Sequence, residues 1–157
     1  GKLREFQAFA KIANEIAEVV NGAWLKTEYN HAVASAQMAA NWQRISTNGE
    51  LLKYNTVGDD RVREDHIAFD GIKLPADHVF WNLHYPPNGW GCRCDVSNAQ
   101  GVATKMEGKF LPVLPKGFGG NVGKTGTVFN AGLFPAHDAA TKKQTNKEAD
   151  TWRADSE

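Results

Sequence analysis

The chain has only two cysteines among 157 residues, no formal net charge, and no apolar run near the roughly 18 residues that mark a membrane-spanning helix. Each shortage excludes a class of protein. Two cysteines cannot build the multi-bridge framework of a small secreted domain, and a reducing cytoplasm would not favour even one bridge. Balanced charge supplies no global field toward nucleic acid or an anionic membrane, so any partner must be recognised by local surface. The N-terminus lacks the basic-then-apolar layout of a signal peptide, which predicts a chain made and kept in cytoplasm. No Glu-x-Glu pair occurs, which removes the acidic loop that ADP-ribosyl transfer would want. A phosphate-binding loop is missing too: Gly123-Lys124-Thr125 invites one, but the spacing requires a glycine where Phe118 stands.

What is present is enough for one core, since 41% of the residues are apolar. The first residue is Gly rather than Met, which suggests a mature product or a piece of something longer. Side chains capable of chemistry concentrate in Tyr54 to Val96, which carries Cys92 and Cys94, three of the five histidines (His66, His78, His84) and two of the five tryptophans (Trp81, Trp90).

Ahead of this stretch the pattern is helical. Apolar residues from Leu3 to Val20 recur at three and four residues, and Asn21-Gly22 reads as a stop. A second, alanine-rich helix is predicted from Thr27 to Ile45, with Tyr29, Val33, Ala36 and Ala40 on one stripe and Met38, Trp42 and Ile45 displaced around it. Core packing between the two helices explains these stripes more simply than a partner groove does.

Glu50 to Thr56 alternates as a strand, with Leu52, Tyr54 and Thr56 on one face. Asp59 and Asp60 are placed to cap a short helix from Arg61 to His66, on which Arg63 and His66 share a face. Asp70-Gly71 turns the chain into Ile72-Lys73-Leu74, and Pro86-Pro87-Asn88-Gly89 turns it again before Trp90. Gly91 to Val96 then reads as a strand with Cys92, Cys94 and Val96 on one face. Cysteines two apart on a regular strand have side chains roughly 7 Å apart, too far for a disulfide. A metal could bridge them if the strand bends.

His66, Cys92 and Cys94 offer an imidazole and two thiolates, a donor set that suits zinc, which usually takes four ligands in a structural site. His84 is the first candidate for the fourth, followed by Asp70 and His78. The alternative is that these side chains are simply packed and hydrogen-bonded. With a metal, the loop from His66 to Cys92 would be stapled to the cysteine strand. Without one, Trp81 and Trp90 would form a small core beneath the loop, with Arg63 held by Asp60, Asp70 or a chain carbonyl. Arg61, Arg63 and Arg93 could instead meet phosphate, although the aspartates around them weaken that footprint.

The order Thr56, Asp60-Arg61-Val62-Arg63, His66, Gly71, Pro75, Phe80-Trp81, Pro86-Pro87, Asn88-Gly89-Trp90, Cys92-Arg93-Cys94 resembles the signature of the phage Mu F-like family of minor head, or head morphogenesis, proteins of tailed phages and prophages. The resemblance covers Thr27 to Val96 and continues weakly through Gly117 to Gly123. It implies contact with the portal or major capsid protein, a role in procapsid assembly or DNA packaging, residence in the host cytoplasm and then in the virion head, and no established catalysis. One branch of the wider family has a histidine where Trp90 stands, so no metal ligand carries over to that position.

An enzymatic reading remains beside it: domains of this kind can be joined to toxin modules, and His66, Arg63 and Asp60 could serve acid-base chemistry on RNA. A second histidine or lysine to complete that set is not apparent. The predicted architecture is α+β, a helical pair on a small antiparallel sheet holding 50–56 and 91–96. A domain over 1–104 is followed by an extended arm over 105–135, anchored by Phe110, Phe118, Phe129 and Phe134, and by a polar tail over 136–157 that lacks the apolar content to order alone.

Overall fold

The structure, a computed structural model, describes residues 22–130 together with Gln7 and Leu133. Thr27–Leu133 is one compact unit, while Gly1–Lys26 and Phe134–Glu157 group as another. Apart from Gln7, the helix expected from Leu3 to Val20 lies outside the described residues, as do the tail and Phe134. The fold of the described chain is α+β. No helix in it is long and apolar enough to cross a membrane.

Helix α1 spans Gly22–Ile45, so its 24 residues extend about 36 Å. Gly22, expected to end a preceding helix, is instead its first residue. The strong helix formers that follow it, Ala23, Leu25 and Lys26, leave no reason to wait for Thr27. The buried stripe also differs from the expected one. His31, Ser35, Met38, Trp42 and Ile45 face inward, whereas Ala36 and Ala40 are exposed. Burying Met, Trp and Ile removes far more apolar area from water than burying alanines does, so the large side chains set the rotation of the helix.

Three strands follow in the order β2-β1-β3, all antiparallel: β1 (Leu51–Asn55), β2 (Lys73–Pro75) and β3 (Asp95–Ala99). In the register Leu52 pairs with Leu74 and Asn98, and Tyr54 pairs with Val96. This puts Leu52, Tyr54, Leu74 and Val96 on the face packed with Met38, Trp42 and Ile45. Polar ties fix the helix to the sheet: Asn41 Nδ2 donates to the Val96 carbonyl at 2.6 Å and Asn98 Nδ2 to the Ile45 carbonyl at 3.2 Å.

The short helix expected from Arg61 to His66 is displaced to Glu64–Ile67 (α2). Asp59 spends one carboxylate oxygen on the Arg61 N–H instead of capping, and Arg63 stands before the first helical residue. Helix α3 (Phe80–His84) buries Phe80, Trp81 and His84, and the Trp81 indole N–H donates to the Pro75 carbonyl at 3.0 Å.

Over residues 105–130 the chain is largely without regular structure, and it lies against the core. Its contacts are not the expected phenylalanines alone. Met106, Leu111, Leu114, Val122 and Val128 pack on the core, while Phe110 is 83% exposed. A last turn of helix, α4 (Val122–Thr125), is capped by the Asn121 side chain. Gly123 within it lies so close to Trp42 that an added Cβ would fall 2.2 Å from that residue's Cβ. Only glycine lets the arm reach α1 there.

Candidate metal centre

Three backbone decisions bring the candidate ligands together. His66 sits on the inner face of α2 and is 2% exposed. The chain then passes through β2 and α3 and turns at 86–91, where Gly91 takes a φ of +65° that favours glycine. The Cys92 N–H closes this turn on the Gly89 carbonyl at 3.1 Å. Gly89 sits close to two of the motif side chains: a Cβ there would stand 3.2 Å from Arg63 Nη1 and 3.8 Å from His66 Cε1, so Arg63 would have to shift slightly.

The strand expected over Gly91–Val96 is therefore wrong at its start. Regular pairing begins at Asp95, after both cysteines. The inward alternation survives, with Cys94 and Val96 buried, Cys92 half-buried, and Arg93 and Asp95 exposed. Because the cysteines lie on the irregular segment between the turn and the strand, their sulfurs draw together, and no disulfide forms.

His66 Nδ1 lies 3.7 Å from Cys92 Sγ and 3.6 Å from Cys94 Sγ, and the three donor atoms fall within 4.8 Å of one another. A tetrahedral ion with metal–sulfur bonds of about 2.3 Å and a metal–nitrogen bond of about 2.0–2.1 Å would separate sulfur from nitrogen by about 3.6 Å. This group could hold a metal ion.

The electrostatics suit a thiolate. Cys92 is held well below the ordinary thiol range, first by a hydrogen bond from Cys94, then by His66 and the backbone N–H groups of Asn88 and Cys94, all against the opposing effect of burial. Cys94 is pushed up, first by its hydrogen bond to Cys92 and then by burial and the neighbouring charge. The pair thus gives up one proton readily and keeps the second, the behaviour of like charges sharing a site. His66 is raised by its bond to Cys92 despite burial. Behind Cys94 the Tyr54 hydroxyl donates to its sulfur, and burial keeps that hydroxyl protonated. Asn88, fully buried, donates to Tyr54 Oη at 3.1 Å and to the His84 carbonyl at 2.8 Å. Nε2 of His66 is buried without a partner, so packing holds the ring on that side, including a tilted contact with Phe69.

His84 is not part of this group. Its ring stacks on Phe80 at 4.9 Å and lies 4.8 Å from Phe69, and burial lowers its pKa. The reserve candidates are engaged elsewhere. Asp70 accepts from Thr56 N and Oγ1, and His78 Nδ1 accepts from the Phe80 N–H.

Arg63 takes the chain-carbonyl option, donating to Trp90 O at 2.5 Å, and Arg93 forms a two-pronged pair with Asp59 at 2.7 and 2.8 Å. Asp60 and Arg61 are exposed. Gly71 has a φ of +73° and donates to the Tyr54 carbonyl, closing the connection into β2. Trp81 is fully buried, Pro87 follows a cis bond, and Trp90 meets His31 and Phe118 edge-on at 5.0 and 5.3 Å.

Sequence reading missed Tyr54, Asn88 and His31 as parts of the surroundings of this centre. The inward phase of β1 could have flagged Tyr54. Nothing local marks Asn88 or His31 as buried.

Residues 4–97, more than half of the chain, match the family described as Phage Mu protein F like protein. The chain belongs to the phage Mu F-like family. The resemblance read from the ordered motifs is thereby shown, and the match takes in every member of the candidate centre. Over 75 residues this family member is 36% identical to the putative capsid assembly protein F of Escherichia phage Mu, covering 46% of this chain and 17% of that protein. Over 84 residues it is 41% identical to the Mu-like prophage FluMu F protein of Haemophilus influenzae, covering 54% and 20% respectively. These alignments span a fifth or less of the length of either relative. No solved structure matches.

Proposed function

We propose that this chain is a head-assembly module of a tailed phage or prophage, acting without catalysis through contacts with the portal or major capsid protein, and that His66, Cys92 and Cys94 hold a structural zinc ion. The observation that carries the proposal is the placement of three zinc-type donors, spaced for a tetrahedral ion, inside residues 4–97, the segment that matches the Mu F-like family. When bound, zinc would supply a cross-link between α2 and the turn before β3, joining parts of the chain 26 and 28 residues apart.

The chain's own residues prepare that link. Asn88 and Cys94 backbone N–H groups stabilise charge on Cys92, and Tyr54 does so on Cys94. A non-enzymatic role fits the engagement of Arg63 and the orientation of His66 toward sulfur, which leave Asp60, Arg63 and His66 unassembled as an acid-base set. The assembly role would be exercised first in the host cytoplasm and then in the head.

Two measurements test this. Elemental analysis should find about one zinc per chain, lost in Cys94→Ser together with a large fall in melting temperature. In the parent phage or prophage, the same substitution should lower the yield of filled heads, and the chain should co-sediment with procapsids. Metal-free protein whose melt is unchanged by Cys94→Ser would sink the zinc reading, and normal heads after deletion of residues 27–133 would sink the assembly reading.

A further inference from the structure

The donor group has three members, and the surface beside it is specific. A small cavity of about 20 Å³ is lined by His66, Cys92 and Cys94 together with Arg61, Arg63 and Arg93, and no acidic side chain is among its walls. That volume is about one water-sized atom group. Among the described residues no fourth His, Cys, Asp or Glu offers a donor atom to the group. Of the neighbouring acids, Asp59 is held by Arg93, Asp65 by the His66 N–H, Asp70 by Thr56 and Asp95 by Asn41 and the Val96 N–H, while Asp60 and Glu64 are exposed and lie outside the donor group.

From this arrangement, and resting on the metal reading above, we infer that the ion keeps its fourth coordination position for a carboxylate group from outside the described chain, drawn in by the arginine rim. Two thiolates and a neutral imidazole cancel the charge of a divalent ion. A carboxylate oxygen in the fourth position leaves one net negative charge next to three guanidinium groups. Arg63 and Arg93 already have partners, on the Trp90 carbonyl and on Asp59. Arg61 is exposed, and among the described residues its guanidinium makes no hydrogen bond, so it is the group able to close over the incoming anion. An ion with three protein ligands and one exchangeable position differs from a closed four-ligand structural site. Here it would let a side chain of a neighbouring head protein complete the centre.

Cobalt(II) substitution tests this, because its spectrum separates the two questions. Thiolate-to-cobalt charge-transfer bands report ligation by Cys92 and Cys94, and the visible ligand-field bands report the fourth ligand. Acetate, a short acidic peptide and perchlorate would be titrated at constant ionic strength. The expected result is a saturable ligand-field change with acetate and the peptide, none with perchlorate, and retained charge transfer. Arg61→Gln should weaken the carboxylate effect several-fold at unchanged cobalt affinity. Tighter binding of the peptide than of acetate would identify a partner's side chain as the natural source; equal binding would identify a free carboxylate. Charge transfer with ligand-field bands indifferent to carboxylate would overturn this inference and leave the metal reading standing. An equal response to perchlorate would also overturn it. Absence of charge transfer would overturn both.

Discussion

Two buried imidazoles both meet Phe69, and they behave as opposites. His66 turns Nδ1 to two sulfurs and is raised in pKa by its bond to Cys92; His84 stacks on Phe80, meets Phe69 at a tilt and is lowered by burial. Their exposure is similar, 2% and 9%, so burial alone does not separate them. What separates them is the company each keeps. An imidazole among soft donors gains from a shared cation, whereas one among rings gains only packing.

The sharpest way to break this comparison is to remove each ring in turn. His66→Gln should abolish metal binding. It should also lose the stabilisation that binding confers, about 4 kcal/mol when free metal stands a thousandfold above its dissociation constant. His84→Gln should keep the full metal content and lose only packing, which metal analysis and thermal melts of both variants would reveal. Metal loss in His84→Gln would restore His84 as a ligand.

A smaller effect probes the support behind the sulfurs. Tyr54→Phe deletes the hydroxyl shared by Cys94 and Asn88, at a cost of about 1–2 kcal/mol in denaturant unfolding. The same change should weaken zinc affinity measurably in a competition titration, and unchanged affinity would make Tyr54 a packing residue only.

The smallest effect is a slope. In metal-free protein the depressed pKa of His84 means that the unfolded chain binds the proton more readily. Its contribution to stability is therefore fully present above the ordinary histidine value of about 6.5 and is lost as pH falls through that value toward the lower folded one. The raised pKa of His66 works the other way, stabilising at low pH and fading as pH rises through its folded value. His84→Gln should flatten the acid loss by at most about 1.4 kcal/mol per pH unit. A steeper loss in the variant would reverse the assignment of the two rings.

Much of this was legible in the residues because it depends on local chemistry. The alternation through β1 fixed which of its side chains face inward, and the turn residues at Asp70-Gly71 and 86–91 fixed where the chain reverses. The His66, Cys92, Cys94 set followed from ligand type. Other features depended on long-range competition. The rotation of α1 was decided by Trp42 and Met38 burying more area than the alanines. The late start of β3 followed from the turn that Gly89 and Gly91 impose on the cysteines. Phe110 stayed outside while Val122 and Leu114 went in, because the close approach of Gly123 to Trp42 sets the path of the arm.

The sequence by itself determined the family, the inward phase of β1 and the donor types of the centre, since these reside in residue identity and spacing. The tertiary structure alone decided that His84 stands outside the group and that Asn88 and Tyr54 stand behind the sulfurs. It also decided that three arginines line the small cavity beside the three donors. Each of these is a distance across many residues of chain, and such distances are fixed by packing, not by local propensity.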